Sequence, residues 1–154
     1  MRYHRLRRSR AQGGVAMVEF AIALPVLLLL LLAVAEFGRM LYHYNSLLQA
    51  SRDAARYVAA EAWDSGLGKI VLSDQIKAKA RNIAAYGLPV ASGISMVPGL
   101  TPADVVVGES DGAHVFVTIS YIFSPALGQS IPAIIGSPIR LDIPLVASTV
   151  MRAL

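Results

Sequence analysis

One carboxylate stands inside the longest apolar run of the chain and is the group there best placed for chemistry. Glu19 is the only charged residue between Val15 and Ala35. An acidic side chain costs roughly 3 kcal/mol at the centre of a bilayer and less near its surface, so Glu19 should have a partner or a use. If the chain is cut after Gly14, the new amine of Val15 lies four residues before Glu19 on the same helix face. The two charges could then neutralise each other, within one subunit or between neighbours.

The other reactive side chains do not form a recognisable catalytic or metal-binding set. The three histidines, at positions 4, 43 and 114, have no metal-ligand spacing, and the chain has no cysteine. Glu109 and Asp111 supply too few oxygens for calcium, and the Asp111-Gly112 pair indicates a hairpin turn instead. No nucleophile elbow, phosphate loop or zinc-protease motif occurs. We therefore expect no enzyme activity, no cofactor, no metal and no small-molecule substrate.

The apolar run has the length of a membrane span. Hydrophobic residues make up 55% of the 154-residue chain, and a helix over residues 15–35 would extend roughly 30 Å, the thickness of one hydrocarbon core. Five arginines and no acid precede it within residues 1–14. A short basic arm before a span holds the amino terminus in the cytoplasm, which places the rest outside. Nucleic-acid binding is the weaker interpretation, because no basic fold or interleaved aromatic residues accompany the arm.

Two other interpretations of this segment stay open. The "AVAE" sequence (Ala33–Glu36) fits a signal-peptidase site, which would release a secreted domain with a binding or adhesive function after Ala35. Alternatively, Glu19 is an interfacial carboxylate on an ordinary anchor helix that is never cut. Against release stand the long basic region, Glu19 itself and a helical pattern that continues through Ala35.

The helix is predicted to continue beyond the span as an amphipathic stalk, residues 36–63, giving one helix of about 45 residues. Its apolar positions are mostly three or four apart, at Phe37, Leu41, Tyr44, Leu48, Ala55 and Val58. Tyr42 and Tyr44 are close enough to the bilayer to anchor at its surface, whereas Tyr57 and Trp63 are expected to pack against a sheet.

The remaining segment, residues 64–154, is predicted to be an α+β domain with a small antiparallel sheet. A helix is expected over Ser73–Gly87, capped by Ser73 or Asp74 and ended by Gly87. Ala103–Phe123 is predicted to form two strands around Asp111-Gly112, and Ile139–Met151 is predicted to form a last strand. A short strand over Ile94–Val97 and a loop with a short helix over Ser124–Pro138 complete the prediction.

Several of these features together resemble a known family. Gly14, four further residues, then Glu19-Phe20 before an apolar run resembles the processing site of type IV pilin-like proteins. The longer stretch "AMVEFAIALPVLLLLLLAVAEFGRMLYHYNSLLQASRDAARYVA" is similar over its length to the TadE-like minor pseudopilins of tight-adherence pilus systems. Pro25, the group Glu36–Arg39, the stretch Ala50–Ala59 and the ending Met151-Arg152 fall where that family has their equivalents.

The resemblance implies a pilin-like fold and a structural component of a bacterial pilus, made by processing of a precursor. A prepilin peptidase would remove residues 1–14, and Glu19 with Phe20 would set the register against the amine of a neighbouring subunit. The Gly13-Gly14 doublet leaves two candidate bonds, of which the one after Gly14 puts glutamate fifth in the mature chain. The implied partners are the inner membrane, the peptidase, other pilins and the assembly machinery, with residues 64–154 on the extracytoplasmic side.

Overall fold

A computed structural model describes residues 12–91, 93–126, 130–131, 139–140 and 142–153. The chain divides into two compact units, Met1–Gly38 (unit 1) and Arg39–Leu154 (unit 2). The first helix, α1, is a continuous element that contributes residues to both.

Helix α1 covers Gln12–Glu61, 50 residues, and confirms the prediction of one long helix. In unit 1 its side chains from Gly14 to Ala35 are exposed, including most of the large leucines and valines. Pro25 lies inside the helix and lacks the N–H that would bond to the carbonyl four residues earlier. Membrane helices tolerate such an interruption. Among the described residues, α1 is the one helix long and apolar enough to cross a membrane.

In unit 2, α1 ends at Glu61, two residues short of the predicted Trp63, because a small hairpin begins there. Strands β1 (Trp63–Asp64) and β2 (Lys69–Ile70) pair antiparallel. One Asp64 carboxylate oxygen accepts from the backbone N–H groups of Gly66 and Leu67 at 2.8 and 3.1 Å and so closes the turn. The sequence was expected only to break the helix at this point, and the hairpin is an addition.

Helix α2 covers Asp74–Tyr86, as predicted. The Ser73 hydroxyl accepts from the Ile76 N–H at 3.2 Å, and Gly87 ends the helix in a left-handed conformation with φ at 75°. Its buried face consists of alanines 80, 84 and 85. Small side chains allow this helix to lie close to its neighbours, strand β3 and the turn before it.

The segment after α2 corrects one prediction, since Ile94–Val97 forms bends rather than a strand. The Met96 N–H donates to the Ala85 carbonyl at 2.9 Å, a group near the end of α2. Val97 and Leu100 are buried beside it. Residues 94–100 therefore form an irregular segment that packs against the end of α2. A single 3₁₀ turn, Pro102–Asp104, leads from it into the sheet.

Three strands form the main antiparallel sheet in the order β3 (Val105–Ser110), β4 (His114–Phe123), β7 (Ile143–Arg152). The β3–β4 hairpin turns at Asp111 and Gly112, both with positive φ, as their sequence predicts. The predicted strand Ile139–Met151 is divided: Ile139–Arg140 is β6 and pairs with β5 (Ser130–Ile131), whereas β7 begins at Ile143. Ser124–Ala126 is not helical, and the rest of the predicted helix, apart from β5, lies outside the described residues.

The core of unit 2 lies between α1, α2 and one face of this sheet. Alternate residues of the strands point inward, with Val115, Val117, Ile119 and Ala147 fully inaccessible to solvent. The outward residues of the same strands are exposed or half-buried. Helix α1 contributes its own buried residues, among them Leu47, Ala50, Ala54, Ala55 and Val58. Phe37, Leu41 and Tyr44, expected on the covered face, are 57, 43 and 36% exposed.

We expect Val117→Ala to lower the free energy of unfolding of unit 2 by about 2 kcal/mol, because it removes two fully buried methyl groups and leaves a cavity. Val150→Ala is the matched control, since Val150 is 57% exposed on the same sheet and should change stability by about 0.5 kcal/mol or less. Urea unfolding of the full chain in detergent, followed by Trp63 fluorescence, measures both. Equal losses for the two variants would contradict the assignment of the two sheet faces.

Candidate functional site

The predicted processing and assembly residues lie on the first turns of α1. Gly14 is inside the helix, and a side chain added there would meet nothing within 4 Å. Val15 and Phe20 are 62 and 61% exposed. The predicted bond and the residues that follow it are therefore accessible on all sides. A peptidase that reads an extended backbone would have to unwind this first turn of the helix.

Glu19 lies beside a shallow apolar groove on the surface of the same helix. The groove is lined by Glu19, Ile22, Ala23, Val26 and Leu27. These positions are three, four, seven and eight residues beyond Glu19, so they follow one helix face. Ala23 forms the low point between larger neighbours. This groove was not predicted from the sequence, although the helical spacing of a small residue among large ones is visible there.

The Glu19 carboxylate has no hydrogen bond or ion pair with another residue in the described part of the chain. It is exposed next to apolar side chains only. In water this arrangement has little cost, but in a bilayer a carboxylate without a counter-charge is strongly unfavourable. The geometry therefore leaves room for a cation or a donor from a second molecule, or for the amine created by processing at Val15.

Arg39 and His43, at the start of unit 2, contact residues at the end of β4. The Arg39 guanidinium donates to the Ser124 carbonyl at 2.8 Å and lies 4.9 Å from the centroid of the Phe123 ring. His43 is buried, with its ring 5.4 and 5.9 Å from the rings of Phe123 and Tyr121 in edge contacts. Arg39 belongs to the Glu36–Arg39 group noted in the sequence. Its role in the structure is to hold the carboxyl end of β4 against the helix.

The alanine-rich stretch Ala50–Ala59 is the place where α1 meets the sheet. Ala50, Ala54 and Ala55 have no exposed surface, and the buried Ser51 hydroxyl lies 2.8 Å from the Thr149 hydroxyl of β7. The charged residues of the stretch, Arg52, Asp53 and Arg56, are all on the exposed side. The stretch therefore has a structural role in unit 2. It adds no reactive group.

The Glu109–His114 turn is a hairpin closed by its own side chains. The Asp111 carboxylate accepts from the backbone N–H groups of Ala113 and His114 and from the His114 ring, whose Nδ1 lies 2.9 and 3.0 Å from its two oxygens. The hydrogen bond from His114 holds the pKa of Asp111 below its ordinary value of 3.8. Both carboxylate oxygens are engaged within the turn, in agreement with the interpretation as a plain hairpin.

Metal-binding groups are not brought together elsewhere either. Within the described ranges, no three histidine, cysteine, aspartate or glutamate side chains lie close enough to hold an ion. His43 is in the buried face of α1 and His114 is in the hairpin, whereas His4 lies outside the described residues.

Tyr57 and Trp63 were both expected to pack against a sheet, but they differ in burial. Tyr57 packs against the core, whereas Trp63 is 36% exposed on β1.

With this geometry in place, the comparison with protein families gives one match. Residues 14–56 match the family of TadE-like proteins. The matched segment begins at Gly14, includes Glu19 and Phe20, and ends within the alanine-rich stretch of α1. It confirms the resemblance inferred from the sequence. Comparison with curated proteins and with solved structures gives no match.

The TadE-like segment, residues 14–56, makes up a little over a quarter of the chain and lies wholly within α1. It contains the apolar span and the part of the helix that packs on the sheet. The apolar part of the segment has the length and composition of a membrane anchor. The strands and α2 lie beyond the match, so the architecture of unit 2 is known here from the structure alone.

We expect His114→Ala to raise the pKa of Asp111 toward its ordinary value, because the variant removes the hydrogen bond that is the largest cause of the shift. Since the pKa is lowered in the folded chain, the turn is stabilised above the ordinary value, and this contribution disappears as pH falls through the lowered one. A carboxyl ¹³C NMR titration measures the change. Thr118→Ala, on the same strand but away from the turn, is the control, and a pKa of Asp111 that stays unchanged in His114→Ala would contradict the assignment.

Proposed function

We propose that this protein is a minor pseudopilin of a tight-adherence pilus, a structural and assembly component made by prepilin-peptidase processing. The observation that carries the proposal is the TadE-like match over residues 14–56, which begins at the candidate processing glycine. The basic arm of residues 1–14 is then a leader peptide. In this account the protein has no catalytic step, no cofactor and no small-molecule substrate.

The proposed topology follows from the arm and the span. Residues 15–35 cross the inner membrane once, the amino terminus lies in the cytoplasm, and residues 36–154 lie on the extracytoplasmic side as stalk and outer domain. The arginines of the arm support this orientation, since the segment that follows the span has no comparable basic cluster. Unit 2 would then present its surface to other pilus components.

Glu19 has the central role in the proposed assembly. After processing at Gly14, the Val15 amine carries a positive charge one helical turn before the carboxylate. Pairing of Glu19 with the amine of a neighbouring subunit would remove the cost of both charges in the bilayer and would fix the axial register of two apolar helices. The groove at Ala23 lies on the same face and offers space for a neighbouring helix. Phe20 extends this contact on the adjacent side.

The proposal is tested first by the amino terminus of the mature protein, isolated from its native cells and measured by intact mass and terminal sequencing. We expect the chain to begin at Val15 in cells that contain the prepilin peptidase and at Met1 in cells that lack it. A chain that begins at Glu36 would instead establish a secreted domain, and an intact chain in both cells would establish an uncut anchor.

The processing bond itself can be assigned with a matched pair of variants. A bulky residue directly before the cut should block it, so we expect Gly14→Leu to leave the precursor uncut and Gly13→Leu to be processed normally. Both variants keep the arm and the span unchanged and should insert equally well. Blocked processing in Gly13→Leu alone would move the cut to the bond after Gly13.

We expect Glu19→Lys to abolish pilus assembly while membrane insertion continues, because a lysine would repel the neighbouring amine instead of pairing with it. Glu19→Gln keeps the size of the side chain without its charge and should reduce assembly as well. Pili are counted by electron microscopy, and the membrane fraction is measured by immunoblot. Normal piliation in Glu19→Lys would rule out the register role.

A further inference from the structure

The end of unit 2 at which the chain enters exposes apolar side chains from both the helix and the sheet. Leu41 and Tyr42 of α1 are 43 and 68% exposed, and Ile122 of β4 and Ile143 of β7 are 68 and 43% exposed. Arg39 contacts Phe123 and Ser124 at the end of β4, and Phe123 pairs with Ile143. The four apolar residues therefore belong to one end of the unit, which we call the Arg39 end.

Charge is distributed unevenly between this end and the rest of unit 2. Helix α1 has no charged residue from Met40 to Ser51, and its charges resume at Arg52. Strand β4 has none from Val115 to Phe123, and β7 has none from Ile143 to Met151. At the opposite end of the sheet, the hairpin and its neighbours carry Glu109, Asp111 and Arg152, all exposed. Arg39 and Asp142, which directly precedes Ile143, are the charged residues that adjoin the four apolar residues in the sequence.

Chain length alone keeps this end close to the membrane. If residues 15–35 span the bilayer, three residues, and so four Cα–Cα steps, separate the end of the span from Arg39. Even a fully extended chain of that length reaches only about 14 Å, so the Arg39 end remains within reach of the lipid headgroups whatever the orientation of unit 2. Exposed tyrosine and isoleucine are favourable in that zone, because their apolar atoms leave water there.

We propose that the Arg39 end of unit 2 is a membrane-surface contact in which Tyr42, Ile122 and Ile143 enter the interfacial layer of the bilayer. The lipid surface is the occupant best supported, because these apolar residues are exposed where the chain leaves the span and because α1, β4 and β7 are uncharged behind them. The inference rests on the proposed function only in requiring that residues 15–35 cross the membrane. It adds that the sheet, and not only the helix, contacts lipid.

The test uses the absence of native cysteines, which permits single-site labelling. Full-length variants Ile122→Cys and Ile143→Cys are labelled with an environment-sensitive fluorophore and placed in lipid nanodiscs, one copy per disc. The lipids carry a nitroxide quencher near the headgroup end of the acyl chain. Val150→Cys is the matched control, since Val150 is a similarly exposed residue near the hairpin end of the same sheet. Leu29→Cys reports independently on the span.

We expect the labels at positions 122 and 143 to be quenched several times more strongly than the label at position 150, with position 29 also strongly quenched. Equal, weak quenching at 122, 143 and 150 together with strong quenching at 29 would overturn the inference while leaving the anchor intact. Weak quenching at all four positions would overturn the anchor and the inference together. A label at position 122 that is shielded from water only in discs with two copies or with added pilus proteins would also overturn the inference. That result would assign the Arg39 end to a protein partner.

Discussion

The packing of α1 into the core of unit 2 determines how the rest of that unit is arranged. The buried face of α1 includes small residues: Ala50, Ala54 and Ala55 have no exposed surface, and Ser51 reaches Thr149 of β7 with a 2.8 Å hydrogen bond. Alanine loses little side-chain entropy in a helix, so this buried face forms at little cost. A larger side chain at any of these positions would disturb the core, because a packed interior has almost no free volume.

The remaining elements cover what this contact leaves open. The sheet is only three strands wide, and α1 alone cannot bury its inner face, so α2 lies beside β3 with its own three buried alanines. The irregular segment at Met96 and Val97 then packs against the end of α2. The outer face of the sheet is not covered by any described element, and Val106, Val146 and Val150 remain more than half exposed. Unit 2 is thus a one-sided layer structure in which two helices share one sheet face.

The two proposed contacts, one between subunits within the membrane and one with the membrane surface, differ in their physical origin. Glu19 acts through charge, since a lone carboxylate in an apolar helix requires a counter-charge, and processing can create one at Val15. The Arg39 end acts through apolar area, since the pairing of β4 with β7 and the contact of Arg39 with Phe123 bring Ile122 and Ile143 to the same end of unit 2 as Tyr42. The first contact is encoded within five residues of one helix. The second depends on residues about eighty to one hundred positions apart in the chain.

The sequence by itself determined the features that rest on local interactions. The long apolar helix, the Ser73 and Gly87 caps of α2 and the Asp111-Gly112 turn each depend on residues within a few positions of one another, and the structure has them where they were predicted. Glu19 and its candidate partner were visible for the same reason. Only the tertiary structure decided how much of the predicted stripe of α1 is covered: Ala55 and Val58 are buried, whereas Leu41 and Tyr44 are exposed. The division of Ile139–Met151 into two strands and the bends at Ile94–Val97 also follow from pairing and packing with distant residues. Helical spacing reveals that a stripe exists, but the partner that covers it is chosen by contacts between segments far apart in the chain.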